Sequence, residues 1–158
     1  IQVSENMTDT KLILTGHQGD TMKESMRCAQ TMAYFMLPDE LARIKKDEQK
    51  SIGLHIHCPS TSMPKDGPSA GGAICVAIYS YLTQKQIRQD VSMTGEMDII
   101  GRITAIGGVE AKLNVRPSYN FAGAKVKEVF LLLCKEHNLT LEWTGQIISF
   151  KTFIPKKK

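Results

Sequence analysis

Apolar positions change period several times along the chain, and each change marks an element. Lys11 to Thr15 (KLILT) has the form of a short strand, closed by Gly16 and by Gly19-Asp20. Behind it Met22, Met26, Ala29, Ala33 and Met36 recur at helical spacing until Pro38 stops the pattern. Thr21-Met22-Lys23-Glu24 reads as a capping box at the start of that helix, with Thr21 as the cap. The methionine stripe is read as core. Asp39 to Lys50 is heavily charged and predicts a solvated helix or loop. Ile52 to Cys58 alternates strictly, which places Ile52, Leu54, Ile56 and Cys58 on one face of a strand and His55 and His57 on the other. Pro59 to Gly67 is loop chemistry, and Ala73 to Tyr81 is apolar almost all round, as in a buried helix. Short strands follow at Val91 to Thr94, Met97 to Ile100 and Arg102 to Ile106, interrupted at Gly95 and Gly101. A helix from about Val109 runs only to Arg116, because Pro117 interrupts it. Val129 to Leu133 and Ile147 to Phe150 are the last strands. The order is that of one α+β domain: short mixed strands in a single compact unit, with helices packed on the sheet.

Composition narrows the class further. At 158 residues the chain can bury roughly 70% of its unfolded surface, enough for a core without disulfides or metal. Hydrophobic residues at 42% and charged residues at 23% exclude collagen and disorder. No apolar run approaches the roughly 20 residues that span a bilayer. The net charge of +4 sits almost entirely in Lys156, Lys157 and Lys158, so the charge is a tail rather than the basic face of a nucleic-acid binder. Cys28, Cys58, Cys75 and Cys134 lack the spacing of a zinc site or a disulfide framework, which fits a reducing, intracellular compartment. No secretory or transit pattern stands at the start. Ile1 in place of Met suggests a processed product or a domain cut from a longer chain.

The chemically informative stretch is Pro64-Lys65-Asp66-Gly67-Pro68-Ser69-Ala70-Gly71-Gly72. It presents one serine in a rigid turn at the start of a buried helix. Two glycines in a first helical turn cost about 1 kcal/mol each relative to alanine, so close approach of a backbone or a ligand is expected there. A serine at a helix N-terminus lies where N–H groups and the dipole favour an anion, such as the oxyanion of acyl transfer; a phosphate site or a structural cap uses the same arrangement. As a nucleophile Ser69 needs a base. Three are available. Gly67-Pro68-Ser69-Ala70-Gly71 fits GxSxG, with Asp98 and His137 following in α/β-hydrolase order. His55 or His57 is the second. The third is Lys112, whose neighbours Val109, Ala111, Leu113 and Val115 are apolar, since desolvation lowers a lysine pKa toward neutrality. Spacing does not choose among them.

Lys11 to about Leu133 resembles the proteolytic domain of Lon proteases. KLILTGHQGDTMKES resembles that domain's early strand and helix start, and LHIHCP with PKDGPSAGG its nucleophile segment. DVSMTGEMDIIGRITAIGG resembles its central strands and GGVEAKL its lysine helix. The resemblance implies a serine endopeptidase with Ser69 as nucleophile and Lys112 as general base, Thr94 orienting the lysine and Asp66 beside the nucleophile in a supporting role. It divides the chain into residues 1–150, a Lon-like proteolytic domain with a truncated early strand and a divergent C-terminal part, and a basic tail, 151–158. It further implies unfolded polypeptide substrates and a homo-oligomer, in this family a hexameric ring. No cofactor is expected in this domain, ATP and Mg belonging to a separate ATPase module, since no Walker motif is present. The expected location is cytoplasm or mitochondrial matrix. A non-catalytic Lon-like scaffold and a self-releasing polyprotein protease are the alternatives, and no membrane or specific nucleic-acid partner is expected.

Overall fold

The structure is a computed structural model, and it describes residues 1–8, 10–48, 52–88, 93–104 and 106, with the backbone of 139–143 and 148–152. Ten elements follow in order among the described residues. They are β1 (Gln2–Asn6), β2 (Ile13–Thr15), α1 (Asp20–Phe35), α2 (Asp39–Glu48), β3 (Gly53–His57), α3 (Gly71–Thr83), β4 (Glu96–Met97), β5 (Ile103–Thr104), β6 (Leu139–Trp143) and β7 (Ile148–Thr152). The expected α+β class, short mixed strands with packed helices, is what the chain adopts.

β3 is the middle strand of a three-stranded sheet, antiparallel to β1 and parallel to β2. Parallel neighbours need a crossover, and α1 with α2 supplies it. The alternation in β3 works as expected: Leu54, Ile56 and Cys58 are buried while His55 and His57 are half-buried. α1 and α3 pack on one another, and α3 also packs on β1. Met22, Met26, Ala29 and Ala33 of α1 are buried, as are Ile74, Cys75 and Ile78 of α3, so the methionine stripe is core. α2 buries no residue, in keeping with its charge.

Several elements differ from the sequence reading. β1 was not anticipated, because Val3 is the only aliphatic residue in QVSEN; its register against β3 makes it a strand. The expected strand from Met97 to Ile100 is shorter, since Asp98 turns the chain. Its carboxylate accepts the N–H groups of Ile100 (3.0 Å) and Arg102 (2.8 Å), which closes a hairpin between β4 and β5. Near the C-terminus β6 pairs with β7, and only β7 was expected. The helix after Val109 and the strand from Val129 to Leu133 lie outside the described residues. Among the described residues, no helix is long and apolar enough to cross a membrane.

The capping box is also corrected. α1 begins at Asp20 with Gly19 as N-cap, and Gly19 makes no side-chain cap bond. Thr21 therefore lies inside the helix. The acceptor comes from elsewhere: Asp66 Oδ1 takes the N–H of Met22 at 2.9 Å. This is the bond an N-cap side chain ordinarily makes.

Candidate active site

Ser69 stands in the turn between the β3 loop and α3, half-buried, with Ala70 as the N-cap of α3. Three sets of bonds hold this turn. Backbone pairing joins the two loops beneath it, with Gly19 N–H to Lys65 O at 2.8 Å and Lys65 N–H to His17 O at 2.9 Å. The Lys65 ammonium gathers the carbonyls of Ser60 (2.6 Å), Met63 (3.1 Å) and Gly16 (3.2 Å), tying the loop to the end of β2. Asp66 then fixes the loop to α1. Its carboxyl is held below the usual aspartate range, first by the Met22 N–H, then by the Gly67 N–H and the Thr21 hydroxyl.

The chain on the far side of the turn is bound to Ser69 itself. The Ser69 carbonyl accepts the Gly95 N–H at 2.8 Å and the Thr94 hydroxyl at 3.1 Å. Gly72 N–H returns a bond to Gly95 O at 3.1 Å. This is why two glycines open α3. A Cβ on Gly71 would stand 3.0 Å from Met97 N and 2.7 Å from Ser25 Oγ, and one on Gly72 would stand 2.6 Å from Met93 Cε. The close approach expected at Gly71-Gly72 is thus to the Ser25 side chain and the Met97 backbone at Gly71, and to the Met93 and Ile103 side chains at Gly72. The N–H groups of Gly71 and Gly72 are given to Pro68 O (3.0 Å) and Gly95 O, so an oxyanion would draw its donors from other N–H groups of the turn.

The structure thus brings Ser69 and Thr94 together and leaves Asp66 on the α1 side of the same loop. Lys112 lies outside the described residues, as does His137. Asp98 is committed to its hairpin turn, and among the described residues the sheet around β3 has three strands, without the doubly wound order of an α/β-hydrolase. His55 Nε2 and His57 Nδ1 each lie 2.8 Å from Thr15 Oγ1. A hydroxyl with one proton donates to one ring and accepts from the other, which gives the pair a structural partner. Among the described residues no three His, Cys, Asp or Glu side chains form a metal-ligating group.

Two contributors escaped the sequence reading. Ser25 is buried, and its hydroxyl donates to Pro68 O at 3.3 Å, holding the residue before Ser69. A serine on the apolar stripe between Met22 and Ala29 was the available signal. Lys65 carried none, since an ammonium that collects carbonyls looks in sequence like any surface lysine. Beside the turn lies an open cavity of about 210 Å³, lined among the described residues by Thr21, Glu24, Ser25 and Cys28 of α1, Pro68, and Glu96 and Met97 of β4.

Comparison with known proteins gives the family. Residues 1–139 match the Lon protease (S16) C-terminal proteolytic domain. Lon protease of Lawsonia intracellularis is 42% identical over 113 residues, covering 72% of this chain and 13% of that protein. Lon protease of Finegoldia magna is 40% identical over 121 residues, covering 77% of this chain and 15% of the relative. Lon protease of Buchnera aphidicola subsp. Acyrthosiphon pisum is 45% identical over 103 residues, covering 65% and 13%. The chain therefore spans about one seventh of the curated relatives it matches. With the serine turn, the glycine-opened helix and a match that runs through both, the chain belongs to the Lon protease C-terminal proteolytic domain family, a family of peptidases.

Proposed function

We propose that this chain is a serine endopeptidase acting on unfolded or flexible polypeptides through a Ser69–Lys112 dyad, as one module of a larger ATP-dependent protease. The observation that carries the reading is the double bond set on the Ser69 carbonyl, from Thr94 Oγ1 and Gly95 N–H, which locks the serine turn against the segment preceding β4. Ser69 Oγ attacks the peptide carbonyl carbon while neutral Lys112 Nζ takes its proton. The oxyanion is held by N–H groups of the serine turn. Collapse breaks the C–N bond, and the lysine returns the proton to the departing amine. Water then attacks the ester, giving its proton to Lys112, and the acid leaves as the proton returns to Ser69. Thr94 orients the lysine, and Asp66 anchors the loop. No cofactor enters these steps; ATP and Mg act on a separate ATPase module. A homo-oligomeric, six-membered ring and an intracellular, reducing location complete the reading.

The test is cleavage of an unfolded protein by wild type, Ser69→Ala, Lys112→Ala and His137→Ala. The dyad requires loss in the first two variants, with His137→Ala active and wild-type turnover rising with pH along an apparent pKa below the ordinary lysine value of about 10.4. Turnover by folded Ser69→Ala would refute it, and loss in Ser69→Ala and His137→Ala alone would replace the lysine by a histidine.

A further inference from the structure

We propose that Lys65 is a positioning residue for Ser69, its ammonium serving as the built-in cation of a carbonyl cradle that keeps the serine turn in place; this rests on reading Ser69 as the nucleophile. The loop from Cys58 to Lys65 leaves and rejoins one short stretch of chain. Cys58 N–H binds Thr15 O at 3.0 Å at one end, and Lys65 N–H binds His17 O at 2.9 Å at the other. Loops of this length with adjoining ends are packed by their own side chains. Here that side chain is Lys65. Its Nζ donates to Ser60 O (2.6 Å), Met63 O (3.1 Å) and Gly16 O (3.2 Å). An ammonium has three N–H donors and no acceptor, so each donor has its carbonyl.

The backbone around the cradle is bent to form it. Ser60 (φ 65°) and His17 (φ 56°) both lie in the left-handed region, which residues with a Cβ rarely occupy. Such residues persist where their surroundings over-determine them. Ser60 supplies one carbonyl of the cradle, and His17 follows Gly16, which supplies another. Gly16 is pressed against the loop, since a Cβ on it would stand 2.9 Å from Cys58 N. Water can replace the hydrogen bonds of the exposed Ser60 and Met63, but it cannot replace the tether that joins them to Gly16 and Lys65. The tether reaches the serine through the chain. Lys65 O accepts the Gly19 N–H at 2.8 Å, and the next residue, Asp66, binds the first turn of α1. Gly67 and Pro68 alone separate this anchored pair from Ser69, whose carbonyl is fixed from the opposite side by Thr94 and Gly95. Ser69 is therefore strung between two anchors, and the ammonium tightens the first. Its loss leaves α3 and the Thr94 anchor in place and relaxes residues 58–66, which displaces the serine without unfolding the domain.

The experiment measures, on the intact protein, cleavage of a flexible quenched peptide and acylation of Ser69 by an electrophilic peptide. Lys65→Met keeps the stem and removes the donors. It should lower kcat by about tenfold or more with KM within about threefold, because a small misplacement of reacting groups costs rate rather than binding. Acylation should slow by the same factor. Lys65→Ala leaves a space of the shape of n-propylammonium, and that ion, added at constant ionic strength, should raise acylation several-fold by occupying the cradle. Neither n-propanol, which is uncharged, nor tetramethylammonium, which has no N–H donor, should do so, and wild type should not respond. Wild-type kcat in Lys65→Met, or a loss in Lys65→Ala that n-propylammonium leaves unchanged, overturns the positioning role and leaves the peptidase reading standing. Should Lys65→Met not fold, Lys65→Arg keeps the charge and the stem; its planar guanidinium does not match a cradle built for an ammonium, and wild-type kcat in that variant overturns the proposal equally. Failure of wild type both to cleave and to be acylated at Ser69 overturns the peptidase reading, and the positioning role falls with it.

Discussion

The Asp66 carboxylate accepts the backbone N–H of Met22 across 44 residues of sequence, at 2.9 Å. The loop that carries Ser69 thereby caps the helix that lines the neighbouring cavity. Asp66→Ala removes the acceptor from an N–H group in the first turn of α1, and Gly19 has no side chain to replace it. The expected outcome is a lower melting temperature, with faster amide exchange confined to the first turn of α1 and to residues 64–68.

The same bonds give Asp66 a pH signature. They favour the ionised carboxyl in the folded chain, chiefly through the Met22 N–H. A carboxyl whose pKa is depressed by folding adds stability above its unfolded value of about 3.9, and that stability is lost as pH falls through the folded value. Wild type should therefore lose more stability than Asp66→Asn below about pH 4. Parallel acid unfolding curves for the two proteins would contradict this.

Gly71 and Gly72 should respond differently to alanine. A Cβ at Gly71 meets the backbone nitrogen of Met97 at 3.0 Å and Met97 Cβ at 3.2 Å, which move only if β4 moves. At Gly72 the nearest atoms, Met93 Cε and Ile103 Cδ1, are the far ends of side chains. Alanine regains about 1 kcal/mol of helix propensity at either position. Gly71→Ala should still be destabilised by about 1–3 kcal/mol through overpacking, whereas Gly72→Ala should stay within about 1 kcal/mol of wild type. Denaturant midpoints of the two variants decide it.

What was legible in the sequence was what depends on near neighbours. The alternation of Leu54, Ile56 and Cys58 and the apolar run from Ala73 onward each fix an element through a single periodicity. The energetic cost of Gly71-Gly72 announced a close approach, yet it did not name the partners, Ser25 and Met97 at Gly71 and Met93 and Ile103 at Gly72. Non-local choices were hidden. Thr21 looked like the cap of α1 because Thr-x-x-Glu is a local signal, while the acceptor actually used, Asp66, arrives through the β2 and β3 loops. β1 was hidden for the same reason, since its strand character comes from β3. The serine turn could be read from its glycines and proline, but Thr94 only by resemblance, because nothing in their spacing announces that residues 25 apart share a carbonyl.

Thr94 offers a test of positioning. Its hydroxyl and the Gly95 N–H converge on the Ser69 carbonyl, so Thr94→Val removes one bond of the pair and keeps the shape of the side chain. Stability should fall by about 1 kcal/mol, the ordinary value of one hydrogen bond. Peptide turnover should fall further, by roughly tenfold or more in kcat with KM little changed, because small displacements of reacting groups are expensive. Thr94→Ser retains the hydroxyl and should recover most of the rate. Equal losses in the Val and Ser variants would mean that the methyl group, rather than the bond, is what matters.

The thiols provide a last prediction, which concerns the core behind the serine turn. Burial pushes the Cys75 thiol of α3 up to about 12 and also raises that of Cys58, which follows β3, whereas Cys28 is half-buried and lines the cavity. The thiolate is the reacting species, so at pH 8 about one Cys75 in ten thousand is ionised. Iodoacetamide should modify Cys28 first among these three, and Cys75 only as the chain unfolds. The same shift carries a stability cost. Above about pH 8.5 the unfolded chain releases the Cys75 proton while the folded chain keeps it, so unfolding becomes easier as pH rises toward 12. One such thiol contributes a slope of up to about 1.4 kcal/mol per pH unit. Cys75→Ala should be less stable than wild type at pH 7, since it leaves a void, and the gap should narrow at pH 10. A gap that stays constant from pH 7 to 10 would show that the thiol titrates alike in the folded and unfolded chains.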